Sequence, residues 1–223
     1  MAVTDEAILR IKEMIVASEL TAGSKLPPEK ELAERLGLSR SSLREAVKAL
    51  AVIRVLDVRQ GDGTYVTSLE PRLLLEAMSF VVDLHENDSV LELFAVRRIL
   101  EPAASRLAAR HATPQMIESL RVLVGTIDDV DDVETLVQHD LGFHRGIADA
   151  TGNRYLASLI ESLSSQTARA RIWRGITEQN AVERTLHEHS AILGAIAAGD
   201  EQLAEALTLV HVSGVEEWLK SAI

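Results

Sequence analysis

The sequence contains no cysteine, and aromatic residues make up only 3% of its 223 residues. Without cysteine there are no disulfide bonds and no thiolate metal sites, and the composition fits a cytoplasmic protein. With so few aromatic rings, aliphatic side chains have to fill the core. Hydrophobic residues make up 47% and charged residues 26% of the chain, which is typical of an ordinary globular protein.

No stretch approaches the roughly 18 to 20 apolar residues that a membrane-spanning helix requires. The first fifteen residues, MAVTDEAILRIKEMI, have the spacing of an amphipathic helix. They lack the cationic start and the long apolar centre of a signal peptide. The sequence therefore predicts a cytoplasmic protein with no membrane partner, and its length suits two small domains better than one.

The net charge of −11 is unusual for a protein that binds nucleic acid, but the charge is unevenly distributed. Residues 1–70 contain 10 Lys and Arg against 11 Asp and Glu, whereas residues 71–223 contain 13 against 23. The acidic excess therefore lies almost wholly in the second part. A nearly neutral domain with clustered arginines can still bind DNA, because the field at the contact surface matters more than the total.

Two short helical patterns lie between Glu29 and Leu50, on either side of a Gly-Leu-Ser break. Each predicted helix has one apolar face, formed by Leu32, Ala33 and Leu36 in the first and by Leu43, Ala46, Val47 and Leu50 in the second. Gly37 suits a tight turn between helices that meet at a steep angle. The pattern predicts a helix-turn-helix unit.

The second of these helices begins with a polar cluster. Ser39 is placed to cap it, and the first turn then presents four polar side chains outward, namely Arg40, Ser41, Ser42 and Arg44. Guanidinium and hydroxyl groups at a helix N-terminus suit phosphates and the edges of guanine bases. The alternative is a solvated, charged helix pair in an unrelated bundle.

The flanking segments complete a small domain. A helix is predicted over residues 4–18, and two short strands are predicted over 52–58 and 64–68. The residues between these strands, Gln60–Gly63, are typical of a tight hairpin because glycine supplies positive φ without steric cost. Three helices followed by a hairpin form a winged helix-turn-helix, whose second turn helix enters the major groove of DNA.

Two segments of this region, LPPEKELAERLGLSRSSLREAVKAL and RQGDGTYV, resemble the GntR family of bacterial transcription regulators. They cover residues 26–66 almost continuously. The resemblance implies that Arg40 and Arg44 contact bases or adjacent phosphates. It also implies that Ser39 and Ser41 assist them and that Gly61 lies at the tip of the wing.

The sequence departs from the family pattern in two places. Lys30 stands where the family often has arginine, and lysine lacks the fork geometry of a guanidinium, so we expect a weaker DNA contact there. The usual acidic-glycine step before the first wing strand is replaced by Ile53-Arg54. This second change alters the path of the chain into the wing.

Residues 69–72 are predicted as a linker between the winged domain, at 1–68, and a second domain at 73–223. Nothing in the second domain has the pattern of a strand. Helical patterns occur over residues 72–84, 88–111, 114–128, 131–151, 153–174, 178–198 and 201–221. The second domain is therefore predicted to be an all-α bundle of six or seven helices, which makes the whole chain mainly α-helical.

The candidate functional residues of the second domain are three histidines and one aspartate. Asp140 and His144 stand four residues apart, so both project from one face of a predicted helix. His189 and His211 lie on the last two predicted helices. Three imidazoles and a carboxylate are compatible with a divalent metal ion, Zn²⁺ first and Ni²⁺, Mn²⁺ or Fe²⁺ otherwise. The alternatives are a solvated Asp-His pair and a hydrogen-bonded core histidine at His211.

The segments RRILEPAASRLAAR and DLGFHRGIADATGN, with HSAILGAIAAGD further on, resemble the FCD ligand-binding domain of the FadR subfamily. In its metal-binding members, one aspartate and three histidines hold a metal ion. These ligands align with Asp140, His144, His189 and His211, whereas members without the histidines bind fatty-acyl ligands and no metal. His139 and His187 do not fall on the predicted buried faces of their helices, and they are interpreted as surface or supporting groups.

Arg97 is our candidate to meet the carboxylate of a bound effector. The alternative is an ion pair on the helix surface with Glu101, which stands four residues further on. Arg98 is the lesser candidate. Asn153 is predicted to cap its helix or, as the alternative, to contact the ligand.

Together these features predict a homodimeric transcription regulator of double-stranded operator DNA. A small organic acid would bind the second domain, fill an open metal position and relieve repression, with activation as the alternative mode. The competing class is a metal-dependent hydrolase. However, there is no H-E-x-x-H motif and no nucleophile elbow, and Glu188 is expected to face away from the site. A purely structural scaffold would leave the winged domain unexplained.

Overall fold

A computed structural model describes residues 3–71, 73, 88–125, 133–178 and 180–222. The chain divides into two units, Met1–Phe80 and Val81–Ile223. Ten helices and one two-stranded hairpin lie within the described ranges, so the chain is mainly α-helical, as predicted. The predicted helix 72–84 lies outside the described residues except at position 73. The predicted linker at 69–72 stays a prediction.

The first unit is built on three helices, α1 (Val3–Val16), α2 (Glu29–Leu36) and α3 (Arg40–Val52). Gly37 ends α2 with a left-handed φ of 68°, which glycine adopts without strain, and the chain turns there toward α3. The apolar face of α3 packs against both α1 and α2. The predicted helix-turn-helix is therefore confirmed.

A β-hairpin follows these helices, formed by β1 (Leu56–Arg59) and β2 (Gly63–Val66). The strands pair antiparallel, with Leu56 opposite Val66 and Arg59 opposite Gly63. Gly61, with φ of 77°, lies in the tip between them. The ends of the hairpin at Leu56 and Val66 are buried in the core of the unit, so the predicted winged helix-turn-helix fold is confirmed.

The predicted strand at 52–58 begins too early. Helix α3 continues to Val52, and the N–H of Ile53 still donates a hydrogen bond to the carbonyl of Ala49. β-branched residues favour strands only weakly, so the helical hydrogen bonds prevail here. Arg54 then adopts a left-handed φ of 60° and turns the chain toward β1. This turn replaces the acidic-glycine step that is usual in the family.

The second unit is all-α within the described residues. Its helices are α4 (Asp88–His111), α5 (Pro114–Gly125), α6 (Val133–Ala150), α7 (Arg154–Gln166), α8 (Ala168–Thr177), α9 (Ala181–Ala197) and α10 (Glu201–Ala222). Helix α4 packs against α6, α7, α9 and α10. Since α6, α9 and α10 all meet this central helix, polar groups on their inner faces are brought together.

Side chains cap the starts of α7 and α10. Asn153 accepts hydrogen bonds from the N–H groups of Tyr155 and Leu156 at the start of α7, which confirms its capping role. The carboxylate of Asp200 accepts from the N–H of Leu203 in the first turn of α10. These caps satisfy backbone donors that a helix start leaves unpaired.

The single helix predicted over 153–174 is wrong, because two helices, α7 and α8, meet at Thr167. The hydroxyl of Thr167 donates to the carbonyl of Leu163 at 3.0 Å and accepts a hydrogen bond from Nη1 of Arg97 at 2.9 Å. A buried threonine hydroxyl that bonds to the preceding turn favours such a break. The break sets the orientation of α8 independently of α7.

No helix in the described part of the chain is long and apolar enough to cross a membrane.

Candidate functional site

The exposed start of α3 carries the predicted DNA-contacting side chains. Ser39 adopts an extended conformation and accepts a hydrogen bond from the N–H of Ser42 at 3.1 Å, so its predicted capping role is confirmed. The side chain of Arg44 is 59% exposed, and the exposed residues Lys30, Arg40 and Ser41 lie on α2 and α3. The first unit thus presents cations and a helix N-terminus to solvent, which suits phosphate groups.

The predicted metal ligands converge in the second unit. Asp140 and His144 lie on α6, whereas His189 and His211 lie on α9 and α10. Relative to Oδ1 of Asp140, the Nε2 atoms lie at 3.4 Å for His144, 3.3 Å for His189 and 3.9 Å for His211. All four side chains are buried, and their candidate ligand atoms lie within 4.8 Å of one another. We call these four residues the Asp-His cluster.

Two glutamates approach the outer ring nitrogens of the cluster. Nδ1 of His144 lies 2.7 Å from Oε2 of Glu101, which is on α4. Nδ1 of His211 lies 2.7 Å from Oε2 of Glu188, which is on α9. A carboxylate at Nδ1 keeps the ring proton there and leaves the lone pair on Nε2. The expectation that Glu188 faces away from the site is therefore wrong, because its carboxylate supports His211 of the cluster.

With the ring protons on Nδ1, two Nε2 lone pairs in the cluster repel each other, and a bound cation would remove this repulsion. The Nε2 atoms of His144 and His211 lie 3.2 Å apart, and with both protons on Nδ1 their lone pairs face each other. His189 is fully buried, and neither of its ring nitrogens has a hydrogen-bond partner among the residues that the structure describes. Burial in a native protein normally requires such nitrogens to be paired, so the donor set fits a metal ion.

Two imidazoles of the cluster, those of His189 and His211, are also held in the uncharged form that metal ligation requires. Burial lowers the pKa of His189 well below its ordinary value, and the neighbouring histidines act in the same direction. Burial likewise lowers the pKa of His211 to about 4, although the carboxylate of Glu188 opposes the shift. At neutral pH both rings are therefore neutral and able to bind a cation.

Comparison with known families assigns both units. The model for bacterial regulatory proteins of the gntR family matches residues 3–66, and the FCD domain model matches residues 92–214. The chain belongs to the GntR family and carries an FCD domain. We refer to the second unit as the FCD bundle.

Individual GntR-family proteins resemble the chain over almost its whole length. The HTH-type transcriptional regulator LutR of Bacillus subtilis (strain 168) is 34% identical over 212 residues, which cover 92% of this chain and 96% of LutR. The galactonate operon transcriptional repressor of Escherichia coli (strain K12) is 27% identical, covering 97% and 96% of the two chains. The solved structure of Streptococcus agalactiae GntR is 30% identical, with a TM-score of 0.76, and covers 96% and 99%.

The GntR family and these relatives are transcription regulators rather than enzymes. This assignment argues against the metal-dependent hydrolase that the Asp-His cluster alone would allow. The chain is therefore a transcription regulator with a DNA-binding N-terminal unit and an FCD bundle.

A small pocket opens beside the Asp-His cluster of the FCD bundle. Asp140 and His211 line it, together with Arg171 and Arg174 of α8. Arg171 is buried, and its guanidinium contacts Oδ2 of Asp140 and the carbonyl of Ser164. Sequence reasoning missed both arginines, although their spacing of three residues places them on one helix face.

Arg97 lies in a different setting from the one expected. It forms an ion pair with Glu101, whose Oε1 is 2.5 Å from Nε, and its Nη1 donates to Thr167. The alternative ion pair is therefore present, but it is buried rather than on the helix surface. Arg98 is exposed and lies 3.6 Å from Oε2 of the buried Glu216.

His187 and His139, the two other histidines considered from the sequence, differ in burial. His187 is exposed, as the surface interpretation expects. His139 is buried, which excludes a surface role, and its Nε2 lies 2.9 Å from the carbonyl of Leu123. Its ring stacks on that of His189 with 5.7 Å between centroids. His139 therefore packs behind the cluster and supports His189.

Proposed function

We propose that the chain is a cytoplasmic, homodimeric repressor of the FadR subfamily. In this proposal, the FCD bundle binds a divalent metal ion and a small organic acid, and the acid weakens operator binding. The observation that carries the metal site is the pair of Nε2 atoms of His144 and His211, which face each other at 3.2 Å. Both rings have a carboxylate at Nδ1, so a cation bound to both Nε2 atoms would remove the repulsion between their lone pairs.

Asp140, His144, His189 and His211 would hold the ion. A set of three imidazoles and one carboxylate suits Zn²⁺ first, and Ni²⁺, Mn²⁺ or Fe²⁺ as alternatives. When bound, the ion supplies a fixed double positive charge inside the bundle. Glu101 and Glu188 would keep the His144 and His211 rings oriented toward it.

The charge balance of the site supports an anionic effector. Without metal, each described buried charge around the cluster has an opposite partner: Asp140 pairs with Arg171, Glu101 with Arg97, and Arg174 at the pocket with Glu178. A divalent ion adds two positive charges, and the partly buried carboxylate of Glu188 offsets one of them. Since uncompensated buried charge is costly, the loaded site favours a further negative group.

The pocket beside the cluster supports the same conclusion. Arg171 and Arg174 line it and could meet a carboxylate, and Arg97 remains a proposed effector contact close behind the cluster. One relative is named for the galactonate operon, and galactonate is a hydroxy acid. We therefore propose a small hydroxy acid as the effector.

The N-terminal unit would read the operator. We propose that α3 enters the major groove with Arg40 and Arg44 at bases or phosphates, assisted by Ser39, Ser41 and Lys30, while Gly61 brings the wing tip close to the backbone. In a homodimer, two such units would occupy adjacent half-sites. The effector would act by binding the DNA-competent and DNA-incompetent arrangements unequally.

Arg40→Ala is expected to weaken binding to an operator fragment by about 5- to 150-fold, because each base-reading arginine contributes about 1–3 kcal/mol of discrimination. Thermal stability should be nearly unchanged, since the side chain is exposed. A gel-retardation titration with the chain's own upstream region, at fixed salt, measures the effect. Arg10→Ala is the matched control, because Arg10 is exposed on α1 and pairs with Glu6 and Glu13. Equal binding by both variants would remove Arg40 from the DNA surface.

Effector binding is expected to require the metal. A hydroxy acid such as galactonate or lactate should raise the melting temperature of Zn²⁺-loaded protein and weaken its DNA binding. The same acid should have little effect on protein stripped with a chelator, and lactamide, which is neutral, should have little effect on either form. Differential scanning fluorimetry and gel retardation measure the two responses. Equal responses with and without metal would contradict the proposed site.

A further inference from the structure

The DNA-facing arginine Arg44 is held by a carboxylate from the preceding helix. Oε2 of Glu29, the first residue of α2, accepts from Nη2 of Arg44 at 2.9 Å and from Nε at 3.3 Å. Within the described residues, Arg44 forms no other hydrogen bond or ion pair. Both side chains are largely exposed, at 59% for Arg44 and 45% for Glu29. The contact spans 15 residues of sequence and joins the two helices of the turn.

The contact fixes which edge of the guanidinium is free. A guanidinium is planar, and its donors form two forks, one of Nε with Nη2 and one of Nη1 with Nη2. Glu29 occupies the first fork of Arg44. The second fork therefore points away from α2, and a fork of this kind matches the O6 and N7 acceptors of guanine.

Stability does not explain the contact, because an ion pair between exposed side chains contributes little to folding. Glu29 also places a negative charge where DNA phosphates would approach Arg44. Such a charge opposes phosphate contacts, which carry no sequence information, more than it opposes an oriented hydrogen bond to a base.

We propose that Glu29 is a specificity-determining residue, which positions Arg44 for base reading and disfavours its contact with phosphates. The inference rests on the proposed place of Arg44 at the DNA. Loss of the carboxylate should lower the affinity for the operator or raise the affinity for unrelated DNA. Either change reduces the ratio of operator affinity to non-specific affinity.

Glu29→Gln is therefore expected to reduce the ratio of operator to non-specific affinity by about tenfold, within the range that one oriented arginine contributes. Fluorescence anisotropy at fixed salt measures both affinities, using the retarded upstream fragment and an unrelated duplex of equal length. Glu45→Gln is the matched control. It removes one charge from exposed Glu45 on α3, whose partner is Lys48, and it should leave the ratio nearly unchanged.

Arg44→Ala and the double variant show whether Glu29 acts through Arg44. In the Arg44→Ala background, Glu29→Gln should cause no further loss of the ratio. A ratio that is unchanged in Glu29→Gln, equally reduced in Glu45→Gln, or reduced again in the double variant would overturn the inference. If Arg44→Ala itself leaves operator binding intact, the proposed DNA contact of Arg44 fails instead.

Discussion

His189→Leu is expected to abolish metal binding while the metal-free protein keeps or gains stability. The fully buried ring of His189 has Nε2 3.3 Å from Oδ1 of Asp140, and within the described part of the chain neither ring nitrogen has a hydrogen-bond partner. Leucine has a similar volume and no polar atom, so the metal-free variant loses an unpaired polar group and gains about 1 kcal/mol. The loaded protein loses a ligand, and its metal affinity should fall by more than the roughly 100-fold that a supporting residue contributes.

The experiment is decisive because the substitution should stabilise the metal-free protein and weaken metal binding. In the wild type, Zn²⁺ at 1,000 times its dissociation constant should raise the free energy of unfolding by about 4 kcal/mol. In His189→Leu, the same addition should have almost no effect. The chain has two tryptophans, Trp173 and Trp218, and both lie in the FCD bundle. Urea unfolding followed by tryptophan fluorescence therefore reports on this unit, and elemental analysis measures the bound metal.

His187→Leu is the matched control, because His187 lies on the same helix but is exposed. It should retain the full metal content and the full stabilisation by Zn²⁺. If His189→Leu binds as much metal as this control, His189 is a core residue and not a metal ligand. If metal-free His189→Leu is less stable than the metal-free wild type, the assignment of unpaired ring nitrogens to His189 is wrong.

Residues of the cluster that share one helix could be predicted from the sequence, whereas the supporting contacts between helices could not. Asp140 and His144 could be predicted because they share one helix face, and a helix fixes the relative direction of residues four apart. The carboxylate of Glu188 meets His211 from another helix, 23 residues away. The relative rotation and offset of two packed helices are set by the whole core, so periodicity within one segment does not predict such a contact.

The missed break at Thr167 has a related cause. No proline or glycine marks it, and the helical pattern continues through residues 153–174. At the junction of α7 and α8, the hydroxyl of Thr167 donates back to the carbonyl of Leu163 and also accepts a hydrogen bond from the distant Arg97. Because the direction of α8 depends on this break, the position of Arg171 beside Asp140 could not be predicted either. By contrast, the winged fold could be predicted, since its turn residues, caps and apolar faces are all local.

Arg97→Ala is expected to lower the free energy of unfolding by about 3–5 kcal/mol, because it leaves Glu101 buried without a full countercharge. Burial alone would raise the pKa of Glu101, yet the charge of Arg97 and the hydrogen bonds from Arg97 and His144 hold it well below its usual range. The substitution also removes the hydrogen bond to Thr167. Urea unfolding followed by tryptophan fluorescence measures the loss.

A second substitution separates this structural effect from effector binding. Glu101→Gln in the Arg97→Ala background removes the stranded charge but keeps an acceptor for Nδ1 of His144, so it should recover much of the stability. In that stable double variant, an effector titration reports on Arg97 without the complication of unfolding. A titration equal to that of Glu101→Gln alone would reject Arg97 as an effector contact. The effector would then depend on Arg171 and Arg174, the two arginines that line the pocket beside Asp140.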